Sequence, residues 1–263
     1  FISTWNSVNA CKTQNIDGKP GDEIVCVLND SNAPATNQRR VSVFRYDTVG
    51  KALGVVWSNV IAPDAGGDVR FNNPVVDLDG DGLYEVIVSG YDPNGGWKTH
   101  IFDALTGADL VPTIVGHALA GSAEMITKGQ RVLLTIAGSS VIGWTFVRMP
   151  MPTLTQKWTL QDRAVPTYTP HDRFALYAAA SEVIAPDLNG DGLGDLVLTT
   201  LAGPAGLAGY SGAGGKTTLL GTRALPAGVD PLQTWVIPAK SSGYPQVALA
   251  RTDGYLELLD GAL

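Results

Sequence analysis

Short runs of apolar residues, each bounded by glycine, aspartate or asparagine, recur along the chain and come in pairs. Ile24-Val25-Cys26-Val27-Leu28, Val86-Ile87-Val88 and Leu196-Val197-Leu198 each leave a polar turn and read as strands of a hairpin. Two further hairpins carry the pattern without an acidic loop. One runs from Glu124-Met125-Ile126 through Lys128-Gly129 to Val132-Leu133-Leu134, and the other from Trp235-Val236-Ile237 to Val247-Ala248-Leu249-Ala250. A third strand follows, alternating with period two as a half-buried strand does: Val41–Asp47, Thr99–Gly107 and Gly254–Gly261. A tryptophan marks a fourth: Val55-Val56-Trp57, Gln156-Lys157-Trp158 and, ahead of any hairpin, Ser3-Thr4-Trp5.

The turns of two hairpins are nearly the same nine-residue loop. Asp77-Leu78-Asp79-Gly80-Asp81-Gly82-Leu83-Tyr84-Glu85 returns as Asp187-Leu188-Asn189-Gly190-Asp191-Gly192-Leu193-Gly194-Asp195. Side-chain oxygens at positions 1, 3, 5 and 9, with a carbonyl at position 7, form the hard-oxygen cage that Ca²⁺ takes, and the glycines let the backbone turn tightly. One Ca²⁺ is expected on Asp77, Asp79, Asp81, Glu85 and the Leu83 carbonyl, a second on Asp187, Asn189, Asp191, Asp195 and the Leu193 carbonyl. Mg²⁺ suits the loops less, because it keeps a tight octahedron with several waters. An EF-hand would place a glutamate at position 12, where this chain has Val88 and Leu198. Asn15–Glu23 is a third relative, with Lys19 at the third ligand position, where its ammonium is expected to neutralise Asp17 and Glu23.

These loops resemble the FG-GAP or VCBS repeat, whose Asp-x-Asp/Asn-Gly-Asp-Gly-x-x-Asp/Glu segments bind Ca²⁺ in the blades of integrin-α-like β-propellers; the Thr99–Gly107 and Gly254–Gly261 strands resemble those of quinoprotein-like propellers. The spacing agrees. Position 1 of the two intact loops differs by 187 − 77 = 110 residues, two units of 55, and the first loop precedes by 77 − 15 = 62. The expectation is an all-β chain forming one domain over 1–263, a β-propeller of five four-stranded blades. The repeats fall at about 8–60, 72–115, 121–160, 181–225 and 232–263, the last completed by residues 1–7, so that the Trp5 strand pairs beside Tyr255–Asp260 and closes the ring.

Composition narrows the partners. With 18 basic against 25 acidic residues the net charge is −7, and no Lys/Arg stripe forms, which argues against nucleic acid. No run of 18 apolar residues exists to span a membrane as a helix. The chain begins at Phe1 without a charged-then-apolar leader, which reads as a processed or excised segment. Cys11 and Cys26 flank the first acidic loop almost symmetrically and face each other across its hairpin. A disulfide is expected, against the alternative of two buried thiols, and points to an oxidising location: secreted, periplasmic or at the cell surface.

In an up-and-down blade the first-to-second loops, where Ca²⁺ is expected, lie on one face, so the second-to-third loops and blade connections gather on the other. That face carries Tyr91, Asp92, Trp97, Arg163, Tyr168, His171, Asp172, Arg173 and Tyr177, the composition of a sugar- or protein-binding surface, or of ordinary solvated loops. Enzyme signatures are sparse. His100, His117 and His171 lie in different repeats without metal spacing, and Gly212–Thr217 lacks the spacing of a phosphate loop. His100 lies in an alternating strand and reads as a packed histidine. The sequence therefore points to an extracellular Ca²⁺-stabilised propeller that binds glycan or protein. The alternatives are a polysaccharide lyase or hydrolase, whose large pectin-degrading propellers resemble this repeat and in which His171-Asp172-Arg173 would be a candidate, or a structural subunit of a larger extracellular assembly.

Overall fold

The structure is a computed structural model that describes residues 7–30, 38–63, 69–71, 74–161, 186–200, 205–237 and 245–259. It is all-β: the described residues form antiparallel sheets, with a single 3₁₀ turn at Ala213–Gly215 and no α-helix. The chain packs into two compact units, Phe1–Leu119 with Val147–Thr153, and Ala120–Phe146 with Leu154–Leu263.

In the first unit, β1 (Ser7–Gln14), β2 (Glu23–Asp30), β3 (Gln38–Asp47) and β4 (Ala52–Ala62) pair in chain order. Its second sheet centres on β7 (Glu85–Asp92) and β8 (Gly96–Asp103), with β9 (Ile114–Val115) beyond β8. The far edge of β7 is lined by two short pieces, β5 (Val69–Arg70) opposite Gly90 and Ser89 and β6 (Val75–Val76) opposite Val86 and Glu85. Together they make one broken strand. Pro74 lies in the break and has no N–H to give a ladder, though its carbonyl accepts from Ile87 N at 2.7 Å.

The apolar runs explain what is covered. Val25 and Val27 on β2 join Val41, Val43, Trp57, Val86, Val88 and Phe102 in one core, while Cys26 and Leu28, on the other face of β2, pack with Phe44. A strand buried on both faces reads as a continuous apolar run. Trp57 lies on the fourth strand, as its spacing predicts, and its indole N–H donates to the Ala104 carbonyl at 2.8 Å. Cys11 pairs with Cys26 across β1 and β2 and the two form a disulfide, as the spacing predicts.

In the second unit, β10 (Ala118–Thr127), β11 (Gln130–Ala137), β12 (Ser140–Val147) and β13 (Thr153–Leu160) pair in chain order, and the turn between the first two is the plain Lys128-Gly129 predicted. Two three-stranded sheets follow: β14 (Asp195–Thr200), β15 (Gly206–Ser211) and β16 (Thr218–Ala224), then β17 (Pro231–Ile237), β18 (Gln246–Arg251) and β19 (Leu256–Leu259). Met125, Val132, Leu134, Trp158, Leu196, Leu198 and Tyr210 form one core, and Leu188, Val197, Leu207, Val247, Leu249 and Leu259 another. The described strands of the five hairpins read from the sequence fall in five separate sheets; the strand leading into loop 187–195 lies outside the described residues. Of the expected ring-closing pair, the partner strand is present as β19, but residues 1–6, which carry the Trp5 strand, lie outside the described residues.

Candidate metal centre

The three acidic loops share one hydrogen-bond plan. At position 1, Asp77 Oδ1 accepts from Gly80 N at 2.7 Å and Oδ2 from Gly82 N at 2.9 Å; Asp187 repeats both at 2.7 and 2.9 Å with Gly190 and Gly192, and Asn15 Oδ1 accepts from Gly18 N at 2.7 Å. At position 5, Asp81 Oδ1 and Asp191 Oδ1 accept from Leu83 N and Leu193 N, both at 2.8 Å. At position 9, Glu23, Glu85 and Asp195 are buried, and each accepts the N–H of position 2: Ile16 at 2.8 Å, Leu78 at 2.8 Å and Leu188 at 2.7 Å. The side chain at position 2 is itself buried in every copy. The loop is therefore pinned beneath by an apolar residue and folded above by carboxylates that gather backbone N–H groups. Gly80 and Gly82 adopt φ of 77° and 85°, a region L-residues avoid, as do Gly190 and Gly192 at 79° and 82°.

In loop 77–85 this folding converges the free oxygens. Asp77, Asp79 and Asp81 each offer an oxygen within 4.8 Å of the others. Asp79 Oδ1 is buried without a hydrogen bond, and so is Asp195 Oδ1 in the second intact loop. Burying a carboxylate oxygen without a partner is costly, and a cation would remove that cost. The residues thus fit Ca²⁺, which takes six to eight oxygens in flexible geometry. Burial pushes the Glu85 carboxyl up to about 7, with the charge of Asp79 adding to the effect and the Leu78 N–H and Arg148 opposing it. Burial likewise raises Asp195, helped by Asp191 and opposed by the N–H groups of Leu188 and Asn189 and by the Ser211 hydroxyl.

Two arginines complete the picture, and neither was read from the sequence as part of a loop. Arg148 donates from Nη2 to Glu85 Oε1 and to the Tyr84 carbonyl, from Nη1 to Asp103 Oδ2 at 2.6 Å, and from its main-chain N to Asp79 Oδ2 at 2.6 Å. In the degenerate loop Arg45 donates from Nε to Glu23 Oε1 at 2.8 Å and from Nη2 to Asp17 Oδ2 at 2.7 Å. Lys19 reaches Asp17 at 3.2 Å, but Arg45 is the cation paired with Glu23. The reason is reach. Lys19 is an exposed residue at the loop tip, whereas Arg45 lies on β3 next to Phe44, which pairs with Ile24, and so stands across from Glu23. That register was available as a signal. Arg148, 63 residues after Glu85, had none.

At the far end of β7 the predicted binding residues Tyr91, Asp92 and Trp97 come together. Tyr91 faces Trp97 across the hairpin with ring centroids 5.4 Å apart, the Arg70 guanidinium lies 5.4 Å from the Trp97 ring, and Asp92 Oδ2 meets Lys98 Nζ at 2.9 Å. Arg163, Tyr168, His171, Asp172, Arg173 and Tyr177 lie outside the described residues. His100 is a packed histidine as expected, its ring stacked 5.2 Å from that of Phe102.

No family model and no curated protein matches this chain. Among solved structures it is similar to the rhamnogalacturonan lyase YesW at 18% identity and a TM-score of 0.60, over 97% of this chain and 49% of that one. The chain shares its fold with part of YesW. A rhamnogalacturonan lyase of Bacillus licheniformis aligns at 15% identity and a TM-score of 0.49, over 97% of this chain and 56% of that one. The chain thus spans about half the length of both lyases.

Proposed function

We propose that this chain is an extracellular β-propeller of the FG-GAP/VCBS type, with five blades and two Ca²⁺ ions, and that it serves as a glycan-binding module. The metals, held by loops 77–85 and 187–195, stabilise the scaffold. The observation that carries the glycan reading is the cluster of Tyr91, Trp97, Arg70 and Asp92 at the end of β7 remote from the acidic loop. A paired aromatic edge offers the apolar surface on which a sugar ring packs, and the flanking charges offer partners to hydroxyl or carboxylate groups. The disulfide supports an oxidising location. No helix among the described residues is long and apolar enough to cross a membrane.

A second reading, a polysaccharide lyase, is supported by the fold shared with YesW, whose name states that activity. One experiment separates the two. The chain is titrated with acidic and neutral polysaccharides by calorimetry, and the same mixtures are sized for cleavage products. Saturable binding without cleavage, lost in Trp97→Ala, is the expected result. Cleavage would establish the lyase, and neither binding nor cleavage would leave an assembly role, tested by the size of the particle in solution.

A further inference from the structure

The three acidic loops answer the charge of their buried ninth residue in three ways. Across from Glu23 stands Arg45, which pairs with it directly. Across from Glu85 in the β7–β8 register stands another acid, Asp103, and the positive charge arrives from Arg148 in the turn after β12. Across from Asp195 stands the neutral Ser211, and Asp195 Oδ1 is buried without a hydrogen bond. The first loop carries an arginine where a metal would supply charge, the third carries none at the matching position, and the middle loop has both the acids and an arginine.

We propose that Arg148 is a resident rival of the metal, so that loop 187–195 takes Ca²⁺ tightly and loop 77–85 takes it weakly. The inference rests on the Ca²⁺ reading above. Arg148 already faces two of the three acids that offer metal oxygens. Its main-chain N–H occupies Asp79 Oδ2, and its Nε stands 3.7 Å from Asp81 Oδ2. A divalent ion among Asp77, Asp79 and Asp81 would therefore lie within a few ångströms of a guanidinium held by Glu85 and Asp103. Repulsion at that range, in the effective permittivity of a protein surface, weakens a cation site by about tenfold or more. In loop 187–195 the corresponding charge is absent from the paired strand, and burial of Asp195 beside Asp191 leaves like charges that a cation would relieve.

Calorimetric titration with Ca²⁺ tests the ranking. The wild type should show a tight and a weak event. Asp191→Ala should abolish the tight one, and Asp81→Ala the weak one. In the Asp191→Ala background, Arg148→Met should strengthen the remaining event by about tenfold or more. An unchanged or lower affinity there, or equal affinities for the two loops in the wild type, overturns the proposal while leaving the Ca²⁺ reading intact. If Arg148→Met does not fold, Ser211→Arg places an arginine across from Asp195 as Arg45 stands across from Glu23. It should weaken the tight event by a similar factor, and an unchanged affinity would overturn the proposal. Absence of any Ca²⁺ binding in the wild type removes the Ca²⁺ reading itself, and this inference with it.

Discussion

Gly143 lies directly beneath the indole of Trp158, so close that a Cβ at this position would stand 2.4 Å from the ring. The tryptophan of the fourth strand rests on the bare backbone of the third. Trp57 also packs on a glycine, but on Gly107 in the turn after β8 of the neighbouring sheet, where a Cβ would stand 2.6 Å from the ring. Both indoles are buried, so neither can swing into solvent without opening a core. Gly143→Ala should therefore cost about 1–3 kcal/mol through overpacking. The midpoint of urea unfolding measures it, and an unchanged midpoint would show that the indole has room to move.

Chelation tests the metal. Without a cation, Asp77, Asp79 and Asp81 repel one another, and the buried oxygens of Asp79 and Asp195 lack a partner. The melting temperature should fall in chelator and recover with added Ca²⁺, since a ligand at about a hundred times its Kd adds roughly 2.7 kcal/mol to the folded state. Asp191→Ala should reproduce part of the loss. A melting curve indifferent to chelator, from protein in which elemental analysis finds no metal, would remove Ca²⁺ from the description.

In the degenerate loop the two cations should differ sharply in weight. Lys19 is exposed and touches Asp17 alone, so Lys19→Ala should cost no more than about 1 kcal/mol. Arg45→Ala strands the buried Glu23 carboxylate and should cost about 1–3 kcal/mol. Urea midpoints of the two variants compare them, and equal losses would contradict the pairing seen here.

His100 sets a pH dependence. Burial holds its ring below the ordinary value of 6.5, against the pull of Asp109 at 3.6 Å, and burial lowers His117 as well. The fold favours the neutral ring, so protons bind the unfolded chain first. The stability this ring contributes is fully present above about 6.5 and is lost as the pH falls. Glu85, raised to about 7, acts in the opposite sense, because the fold protonates it first. The comparison of His100→Phe with the wild type therefore isolates the histidine. The variant, which keeps the stack on Phe102, should lose less stability between pH 7 and 5. Parallel melting curves for the two proteins across that range would refute the assignment.

The strands and the acidic loops were legible because their signals are local. Nine residues contain the whole hydrogen-bond plan of a loop, and a two-residue period declares the strand that follows. Trp57 and Trp158 marked fourth strands through spacing alone. Cys11 and Cys26 could be paired because the turn between them fixes the register. What the sequence concealed lies at long separation. Arg148 joins Glu85 across 63 residues and Asp103 across 45, and no pattern along the chain links them. The broken strand β5/β6 was hidden for another reason: two-residue pieces on either side of Pro74 are too short to show a period. Arg45 falls between these cases. The hairpin register, extended into the next strand, places it across from Glu23, although Lys19 is nearer along the chain.

The shape of each acidic loop is written in contacts that do not involve a metal: a buried aliphatic side chain at position 2 and a buried carboxylate at position 9 that caps the same residue. The turn thus holds its shape without an ion. Substitution at position 3 or 5 changes what balances the charge without undoing the hairpin, and an arginine arriving from a neighbouring strand or a distant turn can take over that task. Loop 15–23, with Arg45 on Glu23, and loop 187–195, with Ser211 opposite Asp195, are the two extremes of that range. On the Ca²⁺ reading proposed above, a scaffold built this way can exchange an ion for an arginine one repeat at a time while each hairpin keeps its shape.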